Sequence, residues 1–258
     1  MGTAALNLAT RPAPQPRPLT KKPKPRSGFW GLLGKVMLFV VLAPIIWTLV
    51  YRFVPIPGTF LMVERAFQGK DVRRNPVALN QISPHLVYAV IAAEDAKFCS
   101  HDGFDWIAIQ KAVKSNERGR KLRGGSTISQ QTAKNVFLWP ERSWVRKGLE
   151  AGFTVLIETL WPKQRIMEAY LNVAEFGPGI FGAEAGALYH FGKHAKDLTP
   201  MQAARLAAIL PSPAKWSPTK PSRRVARKAN GIVKGARIVR ESGLGTCIRI
   251  QPKKKQKS

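Results

Sequence analysis

The stretch SPHLVYAVIAAED, residues 83–95, has both the start signal and the residue spacing of a buried α-helix. Ser83 is a suitable N-cap, and Pro84 suits the first helical position, where no N–H is needed. Apolar residues then recur every three or four positions, as on one face of a helix: Leu86, Val87, Val90 and Ile91. We expect this helix to run to about Lys97 and to stop before the turn at residues 101–105.

Helical spacing continues along most of the chain after Thr59, so the sequence predicts a mainly α fold. The further predicted helices are residues 144–161, 163–176, 183–192, 199–211 and 222–241. Thr199 and Gln202 have the spacing of a capping box. The glycine-rich run GPGIFG, residues 177–182, is expected to be a loop. We find no internal repeat and no series of alternating strands.

Residues 29–54 form an apolar stretch that suits a transmembrane anchor. Its uncharged part, residues 36–51, spans about 24 Å as a helix, which is short of the roughly 30 Å hydrocarbon layer. Including residues 29–34, with Lys35 reaching toward the headgroups, closes the gap. A cleaved signal peptide and a buried core helix are the alternatives. The exit YRFVPIP, residues 51–57, has no small-x-small cleavage site and favours the anchor.

The segment before the anchor, residues 1–28, is rich in proline and basic residues and contains no acidic residue. Such a composition cannot bury a core, so we expect a disordered basic tail. Positive residues beside a transmembrane helix resist translocation, which places this tail in the cytoplasm. The sequence therefore predicts a single-pass protein whose folded domain, residues 55–243, lies outside the cytoplasm and ends in a basic tail, residues 244–258.

The formal net charge of the 258-residue chain is +27, from 42 Lys and Arg against 15 Asp and Glu. An anionic partner is therefore expected: nucleic acid, acidic lipid or a phosphorylated substrate. Charge alone does not choose among them. The last predicted helix, residues 222–241, has an apolar side and a basic side. It either lies on an anionic membrane surface or packs on the domain with its basic face in solvent.

The two cysteines, Cys99 and Cys247, are far apart in the sequence and lack the spacing of metal ligands. The four histidines are scattered and do not complete a ligand set. We therefore predict no zinc site. Whether the two cysteines form a disulfide is left open by the sequence.

Glu94 is a candidate catalytic carboxylate. It falls near the negative C-terminal end of its predicted helix and beside Asp95, where negative charge and partial burial make a carboxylate a better proton acceptor. That environment suits a general base. The alternative is a simple ion pair between Glu94 and Lys97, three residues further on.

Glu150 is a second candidate carboxylate. Arg146 and Lys147 lie one turn before it, so a carboxylate and two cations share one helix face. Helices often have such sets on their surface, and the spacing by itself favours a structural ion pair. Glu158 continues roughly the same side, and its spacing does not decide between a structural and a functional role.

The segment GGSTISQQTAKN, residues 124–135, is poor core material because it consists mainly of small hydroxyls, amides and glycine. Thr127 and Gln130 have capping-box spacing, so a helix is expected to begin there. Four polar residues share one face of that helix: Thr127, Gln131, Lys134 and Asn135. A helix start has free N–H groups and a positive dipole end, and Lys134 adds a full charge, so the segment predicts an anion site. An exposed polar turn is the alternative.

Five segments in order resemble the successive motifs of the peptidoglycan glycosyltransferases, glycosyltransferase family 51. They are EDAKFCSHDGFD (94–105), GGSTISQQTAKN (124–135), RSWVRKGLE (142–150), RIMEAYLNVAEFG (165–177) and AARLAAILPSP (203–213). One such motif is suggestive, whereas five in order are specific. The resemblance covers about residues 55–215, and the short anchored chain is similar to the monofunctional members of that family.

The resemblance implies a lysozyme-like, mainly α glycosyltransferase domain preceded by a single transmembrane helix in the bacterial inner membrane. The implied substrate is lipid II, a disaccharide-pentapeptide on a polyprenyl pyrophosphate. The implied reaction polymerises lipid II into β-1,4-linked glycan strands, with inversion at the donor anomeric carbon and release of polyprenyl pyrophosphate. Such an activity belongs to peptidoglycan synthesis, and through it to cell wall biogenesis and cell shape.

The resemblance also assigns roles to matching residues. Glu94 matches the general base that takes the proton from the 4-hydroxyl of the acceptor N-acetylglucosamine. Lys134 and Arg142 match donor-site cations that stabilise the pyrophosphate. Glu150 matches a second glutamate that positions the pyrophosphate, directly or through a bound cation. Polar groups expected to line the same site are Ser126, Gln131 and, from its place on the same helix face, Asn135. Residues expected to shape the site around Glu94 are Asp95, Phe98, His101, Gly103 and Asp105.

No cofactor is required by the sequence, and a divalent cation, Mg²⁺ or Mn²⁺, is compatible with a pyrophosphate substrate. The expected partners are lipid II and the growing glycan strand, anionic membrane lipids, cross-linking transpeptidases and proteins of the divisome or elongation machinery. Nucleic acid is not expected. One position departs from the family pattern, because Gln202 stands where glutamate is common.

Two other functions compete with this interpretation. A lytic transglycosylase or lysozyme cleaves the same glycan with a glutamate acid on a similar scaffold. It has no use for a pyrophosphate-binding lysine and arginine, and the segment 124–135 is foreign to it. A membrane-tethered basic protein that binds nucleic acid or anionic lipid explains the charged ends of the chain. It leaves the polar segments at the centre unexplained.

Overall fold

The computed structural model describes residues 28–110 and 125–248, and they confirm the mainly α fold. The predicted disordered tail before residue 28, Gly124 and residues 249–258 lie outside the described residues. The α-helices whose full extent the structure describes are α1 (Phe29–Phe53), α2 (Phe60–Phe67), α3 (Pro84–Glu94), α4 (Ile128–Phe137), α5 (Trp144–Leu160), α6 (Lys163–Val173), α7 (Ala183–Phe191), α8 (Pro200–Ile209) and α9 (Arg223–Glu241). Short 3₁₀ helices cover Leu79–Gln81 and Ala195–Asp197.

Helix α3 is the central helix of the core. Its predicted apolar residues are fully buried, and α8 and α9 pack on it. Small residues permit this close packing, since a Cβ at Gly235 of α9 would lie only 3.1 Å from that of Ala92. The expected end at Lys97 is wrong, because the helix ends at Glu94. Asp95 has φ −162° and ψ 78°, which turns its side chain away from the helix and toward α4.

A second group of packed helices consists of α4, α5 and α6. Thr127 and Gln130 form the predicted capping box at the start of α4, with both reciprocal hydrogen bonds present. The Phe137 and Phe153 rings stack at a centroid distance of 4.4 Å and join α4 to α5. These contacts set the direction of α4, whose polar face carries the predicted site residues.

A small sheet replaces part of the expected glycine-rich loop. Its strands are β1 (Arg73–Arg74), β2 (Glu175–Gly177) and β3 (Ile180–Phe181), in the order β1-β3-β2. β3 pairs parallel with β1 and antiparallel with β2. The expectation of a loop was wrong here because two- and three-residue strands are too short to show alternation. Gly179 makes the turn at φ +79°, where a Cβ would lie 2.7 Å from the Asp71 carbonyl oxygen.

Helix α1 contains a segment, Trp30–Phe53, that is long and apolar enough to cross a membrane. It has 24 residues and a mean hydropathy of 2.2, and 6% of its most apolar window is buried. This exposure argues against a buried core helix and fits a single-pass membrane anchor. No other helix of the described residues passes the same test.

The compact unit that contains the helical domain begins at Leu42, so it includes the C-terminal half of α1. Trp161 donates its indole N–H to the Thr48 carbonyl oxygen at 2.8 Å. Arg165 donates to the carbonyl oxygen of Tyr51 at 2.7 Å and to that of Val54 at 2.8 Å. The last carbonyls of a helix have no partner within it, so Arg165 satisfies that of Tyr51, and together these bonds fasten the last turns of α1 to Trp161 and α6.

The C-terminal part of the domain is held by a disulfide between Cys99 and Cys247, whose Cα atoms are 5.4 Å apart. Ile248 is 3% exposed, so the chain packs on the domain beyond residue 243. Helix α9 buries one apolar side and keeps its basic side largely in solvent. Of the two interpretations of this helix, the structure therefore supports the packed one.

Candidate active site

Glu94 is the last residue of α3, and its carboxylate faces the polar side of α4. The side-chain amide of Gln131 donates to Glu94 Oε2 at 3.1 Å, and the Tyr170 hydroxyl contacts the Gln131 carbonyl oxygen at 3.2 Å. The alternative ion pair of Glu94 with Lys97 is not formed. Lys97 instead lies 3.7 Å from Asp105. Glu94 is therefore placed by an amide and not by a cation of its own segment.

Asp95 connects the end of α3 to the start of α4. Its Oδ2 accepts a hydrogen bond from the Ile128 N–H at 3.0 Å, at the positive end of α4. His101 Nε2 lies 3.0 Å from the same carboxylate. The Gly103 N–H donates to His101 Nδ1, so the imidazole proton resides on Nε2 and points to Asp95. This 8% exposed carboxylate is thus satisfied on every side.

The start of α4 was expected to offer free N–H groups to an anion, but the N–H groups of Ile128 and Gln130 are not free. The Ile128 N–H is taken by Asp95, and the Gln130 N–H donates to Thr127 Oγ1 at 3.1 Å. The Gln131 N–H donates to the Thr127 carbonyl oxygen at 3.0 Å. The protein's own carboxylate occupies the positive helix end. Side-chain cations, such as Lys134 further along α4, are therefore the candidate groups for an anion.

Lys134 is the cation that α4 supplies, one turn beyond Gln131. Its amine forms no hydrogen bond or ion pair with any other described residue. Burial lowers the pKa of Lys134; the Glu150 carboxylate opposes this shift, and the nearby charges of Arg146, Lys147 and Arg142 add to it. These charges place Lys134 within a group of basic residues from the start of α5.

Glu150 forms the ion pairs that its spacing predicted. It is 3% exposed, and its carboxylate accepts from Arg146 at 2.8 Å and from Lys147. Arg146 Nε is buried and has no hydrogen-bond partner among the described residues, so none of them satisfies this part of the guanidinium. We name Lys134, Arg142, Arg146 and Lys147 the cation cluster. It has four cations around one carboxylate and therefore a net positive charge.

The other predicted substrate-binding residues lie less deep. Arg142 and Ser126 are exposed, and Asn135 is half-buried on α4. The charge of Arg142 acts on Lys134, so its guanidinium lies near the other members of the cation cluster. The structure shows no contact of Ser126 or Asn135 with either glutamate.

The predicted shaping residues form the support behind Glu94. Phe98 is fully buried, and Lys163 lies over its ring at 4.7 Å. Gly103 has φ +93°, and a Cβ there would lie 2.7 Å from Thr154 Cγ2. Asp105 accepts from the Ala108 N–H at 3.0 Å, which lowers the pKa of this carboxyl. Gly103 is therefore required by both conformation and space.

Sequence reasoning missed several residues that touch this region. Tyr170 reaches Gln131 from α6, and Lys228 reaches the neighbourhood of Glu94 from α9. Burial lowers the pKa of Lys228, while the Glu94 charge raises it. Glu158, which spacing left undecided, accepts from Ser129 and from Lys163 at 2.8 Å. No helical spacing signals these contacts, because the partners of Tyr170, Lys228 and Ser129 come from distant parts of the chain and Lys163 lies beyond the end of the helix of Glu158.

The donor set does not form a metal centre. No group of three or more His, Cys, Asp or Glu side chains in the described ranges is arranged to hold a metal ion. Glu150 is already engaged by two cations, and Asp95 by a helix end and a histidine. In the described ranges, the two buried carboxylates of the site are thus already engaged by the protein's own groups.

The chain is similar to known proteins over most of its length. A family model described as Transglycosylase matches residues 62–237. The biosynthetic peptidoglycan transglycosylase of Caulobacter vibrioides is 57% identical over 218 residues, which are 84% of this chain and 95% of that protein. That of Rhodospirillum centenum is 54% identical over 84% of this chain and 92% of its own length. That of Pseudomonas aeruginosa is 54% identical over 78% and 89% respectively.

A helical domain with a carboxylate beside a cation cluster, and these relatives, define a glycosyltransferase enzyme. The chain belongs to the transglycosylase family, with a lysozyme-like domain, and acts as a peptidoglycan transglycosylase in cell wall synthesis. This confirms the predicted family, enzyme class and fold. Lipid II and glycan strands are the substrates that this function implies.

Replacing Asp95 by Asn is expected to lower the free energy of unfolding by about 2–4 kcal/mol, because the amide cannot accept from both the helix end and His101. Denaturant unfolding in detergent, followed by circular dichroism, measures the change. Asp102→Asn is the matched control, since Asp102 is exposed in the same segment and its change should stay below about 0.5 kcal/mol. Equal effects of the two variants would contradict the role given to Asp95.

Proposed function

We propose that the enzyme polymerises lipid II by inverting glycosyl transfer, with Glu94 as the general base and the cation cluster as the pyrophosphate site. The observation that carries the proposal is the layout of α4. Gln131 touches Glu94, and Lys134 of the cation cluster follows three residues later, about 4.5 Å along the helix axis. A proton acceptor and an anion site thus lie one helical turn apart, as the two ends of a glycosyl transfer require.

In the proposed reaction Glu94 takes the proton from the 4-hydroxyl of the acceptor N-acetylglucosamine. The oxygen attacks the anomeric carbon of the donor N-acetylmuramic acid from the face opposite the leaving group. The new β-1,4 bond forms as the bond to the pyrophosphate breaks, so the α configuration is inverted. The electron pair leaves on the polyprenyl pyrophosphate, and the proton stays on Glu94 until solvent removes it.

The cation cluster supports the leaving group in this proposal. A pyrophosphate leaves without protonation, so the site needs positive charge where the negative charge develops. Lys134 supplies it from a buried position, and Arg146 adds an unsatisfied Nε. Glu150 holds Arg146 and Lys147 in place, which makes it a positioning group for the pyrophosphate. A Mg²⁺ or Mn²⁺ ion bound to the pyrophosphate itself is compatible with the proposal, although no step depends on it.

Hydrolysis of the glycan is the competing reaction, and the site favours transfer. A lysozyme-type site uses a second carboxylate across the scissile bond. Asp95 is adjacent to Glu94, but it is buried and engaged by Ile128 and His101. A cation cluster has no task in hydrolysis. A membrane-tethered binding protein without catalytic activity is disfavoured, because such a protein does not need buried or half-buried groups such as Asp95, Gln131 and Tyr170 around Glu94.

We further propose that the N-terminus is cytoplasmic and that the domain faces the periplasm from the inner membrane. The disulfide between Cys99 and Cys247 supports this, because disulfides persist in oxidising compartments. Anionic lipids would attract the basic face of α9. Cross-linking transpeptidases and proteins of the divisome or elongation machinery are the proposed protein partners, since the new strand must be joined to the existing wall.

Glu94→Gln is expected to abolish glycan formation from purified lipid II in detergent, by at least about a hundredfold. The amide keeps the size of the side chain but cannot take the proton. Gel analysis of labelled strands measures the loss. Glu241→Gln is the control, since Glu241 is exposed in the last turn of α9 and should leave the rate unchanged. Full activity of Glu94→Gln would refute the assignment of the base.

Lys134 should give the wild-type enzyme an alkaline loss of kcat/KM for lipid II. Because the pKa of Lys134 is lowered, its charge is present below that pKa and is lost as the pH rises through it, earlier than for an ordinary lysine. Lys134→Arg keeps its charge and should move this loss to higher pH. Lys193→Arg, at an exposed lysine, is the control and should retain the wild-type profile. Unchanged profiles in both variants would contradict the role of Lys134.

Topology is testable through the disulfide. In cells that produce the full chain, neither thiol of Cys99 and Cys247 should react with maleimide-polyethylene glycol before reduction, and both should react afterward. Protease added to spheroplasts should digest the domain and leave a tag at the N-terminus intact. Free thiols in the cell, together with a protected domain, would place the domain in the cytoplasm and overturn the proposed orientation.

A further inference from the structure

We infer that Tyr170 is a positioning residue for the general base: its hydroxyl orients the Gln131 amide, which in turn holds Glu94. The inference rests on the proposed function for the role of Glu94, and it adds a residue that does not touch the substrate. The three side chains are joined by two consecutive hydrogen bonds. The Tyr170 hydroxyl is 3.2 Å from Gln131 Oε1, and Gln131 Nε2 is 3.1 Å from Glu94 Oε2.

The donors and acceptors of Tyr170, Gln131 and Glu94 allow only one productive orientation of the Gln131 side-chain amide. An ionised carboxylate is a pure acceptor, so the NH₂ group of Gln131 must face Glu94 and its carbonyl oxygen must face away. That oxygen can only accept, and the Tyr170 hydroxyl is the donor that it meets. A reversed amide would place its oxygen against the carboxylate. Tyr170 therefore stabilises the orientation that an ionised Glu94 needs.

Tyr170 is suited to act as a permanent donor. Its side chain is 1% exposed, so no solvent competes for the hydroxyl. Burial, followed by the charges of Glu94 and Asp95, raises the pKa of Tyr170 well above its ordinary value. The phenol thus remains protonated throughout the working pH range of the enzyme. Its packing in α6 also prevents the hydroxyl from following Gln131 if the amide turns.

The hydrogen bonds from Tyr170 through Gln131 to Glu94 also give the two oxygens of Glu94 different roles. Oε2 is occupied by Gln131, whereas Oε1 has no hydrogen bond to any residue that the structure describes. Oε1 is the oxygen that remains for the acceptor hydroxyl. The hydrogen bond of Gln131 to Oε2 therefore fixes the direction of Oε1. This matters because a small displacement of a base from its reacting proton is enough to slow proton transfer.

Tyr170→Phe tests the inference, because it removes the hydroxyl and keeps the ring. On lipid II we expect kcat to fall about tenfold, equivalent to ~1.4 kcal/mol, with KM unchanged. Gln131→Met should lower kcat by at least as much. Since Tyr170 acts through Gln131, the double variant should match Gln131→Met alone. Multiplying losses, or a wild-type kcat in Tyr170→Phe, would overturn the inference.

Tyr88→Phe is the matched control. Tyr88 lies on α3, the helix of Glu94, but its hydroxyl has no hydrogen bond to a described residue, so kcat should stay within about twofold of wild type. Thermal unfolding of each variant in detergent checks the fold. If Tyr170→Phe and Tyr88→Phe lowered kcat equally, the loss of Tyr170 would be a general packing effect and the inference would fail.

A measurement without substrate separates this inference from the proposed function. The side-chain amide resonance of Gln131 can be assigned in the full chain by its disappearance in Gln131→Met. Tyr170→Phe should shift this resonance, and Tyr88→Phe should leave it in place. An unshifted resonance would refute the hydrogen bond whatever the activity. A shifted resonance in an enzyme unable to polymerise lipid II would instead refute the proposed function alone.

Discussion

The site depends on one interaction, the hydrogen bond between the buried Asp95 carboxylate and the first N–H of α4. A carboxylate at a positive helix end is well stabilised, and His101 completes its hydrogen bonds. To reach α4, Asp95 must leave helical conformation, so α3 ends at Glu94. The same bond holds α4 beside that end and brings Gln131 to Glu94. The end of α3 and the contact between Glu94 and Gln131 therefore both depend on this hydrogen bond.

Charge is distributed unequally along α4, and this produces the two ends of the site. Near its N-terminus the helix faces the carboxylates of Glu94 and Asp95. One turn beyond Gln131, Lys134 belongs to the cation cluster, whose positive charge Glu150 neutralises only in part. Burial strengthens both effects, because a poorly solvated charge interacts more strongly with its neighbours. A substrate with a neutral acceptor hydroxyl and an anionic leaving group matches this gradient.

Two sets of contacts restrain the domain: the hydrogen bonds at the end of α1, and the disulfide between Cys99 and Cys247. Trp161 and Arg165 hold the last turns of α1, so α5 ends and α6 begins beside the end of the apolar helix. The Cys99–Cys247 disulfide ties the segment that follows Glu94 to the end of the domain, 148 residues later. A cross-link over so long a loop restricts the unfolded chain strongly. The disulfide thereby limits movement of the segment that follows Glu94.

Local pattern in the sequence was sufficient for the helices, their caps and the apolar anchor. Ser83, Thr127 and Thr199 cap the helices that their spacing predicted, because capping depends on residues within one turn. The Arg146, Lys147 and Glu150 ion pairs follow from helical periodicity in the same way. Short strands at residues 73–74, 175–177 and 180–181 escaped prediction, since so few residues give no periodic signal.

Only the tertiary structure decided what the polar groups of the site contact. The start of α4 looked free to bind an anion, but Asp95 occupies it from another helix. Tyr170 and Lys228 approach Glu94 from segments far along the chain. Cys247 forms a disulfide with Cys99, which lies 148 residues earlier in the sequence. Hydrogen bonds and charges act through space, so their partners are set by packing. The sequence determined which chemical groups are present, and the fold determined which of them remain available to a substrate.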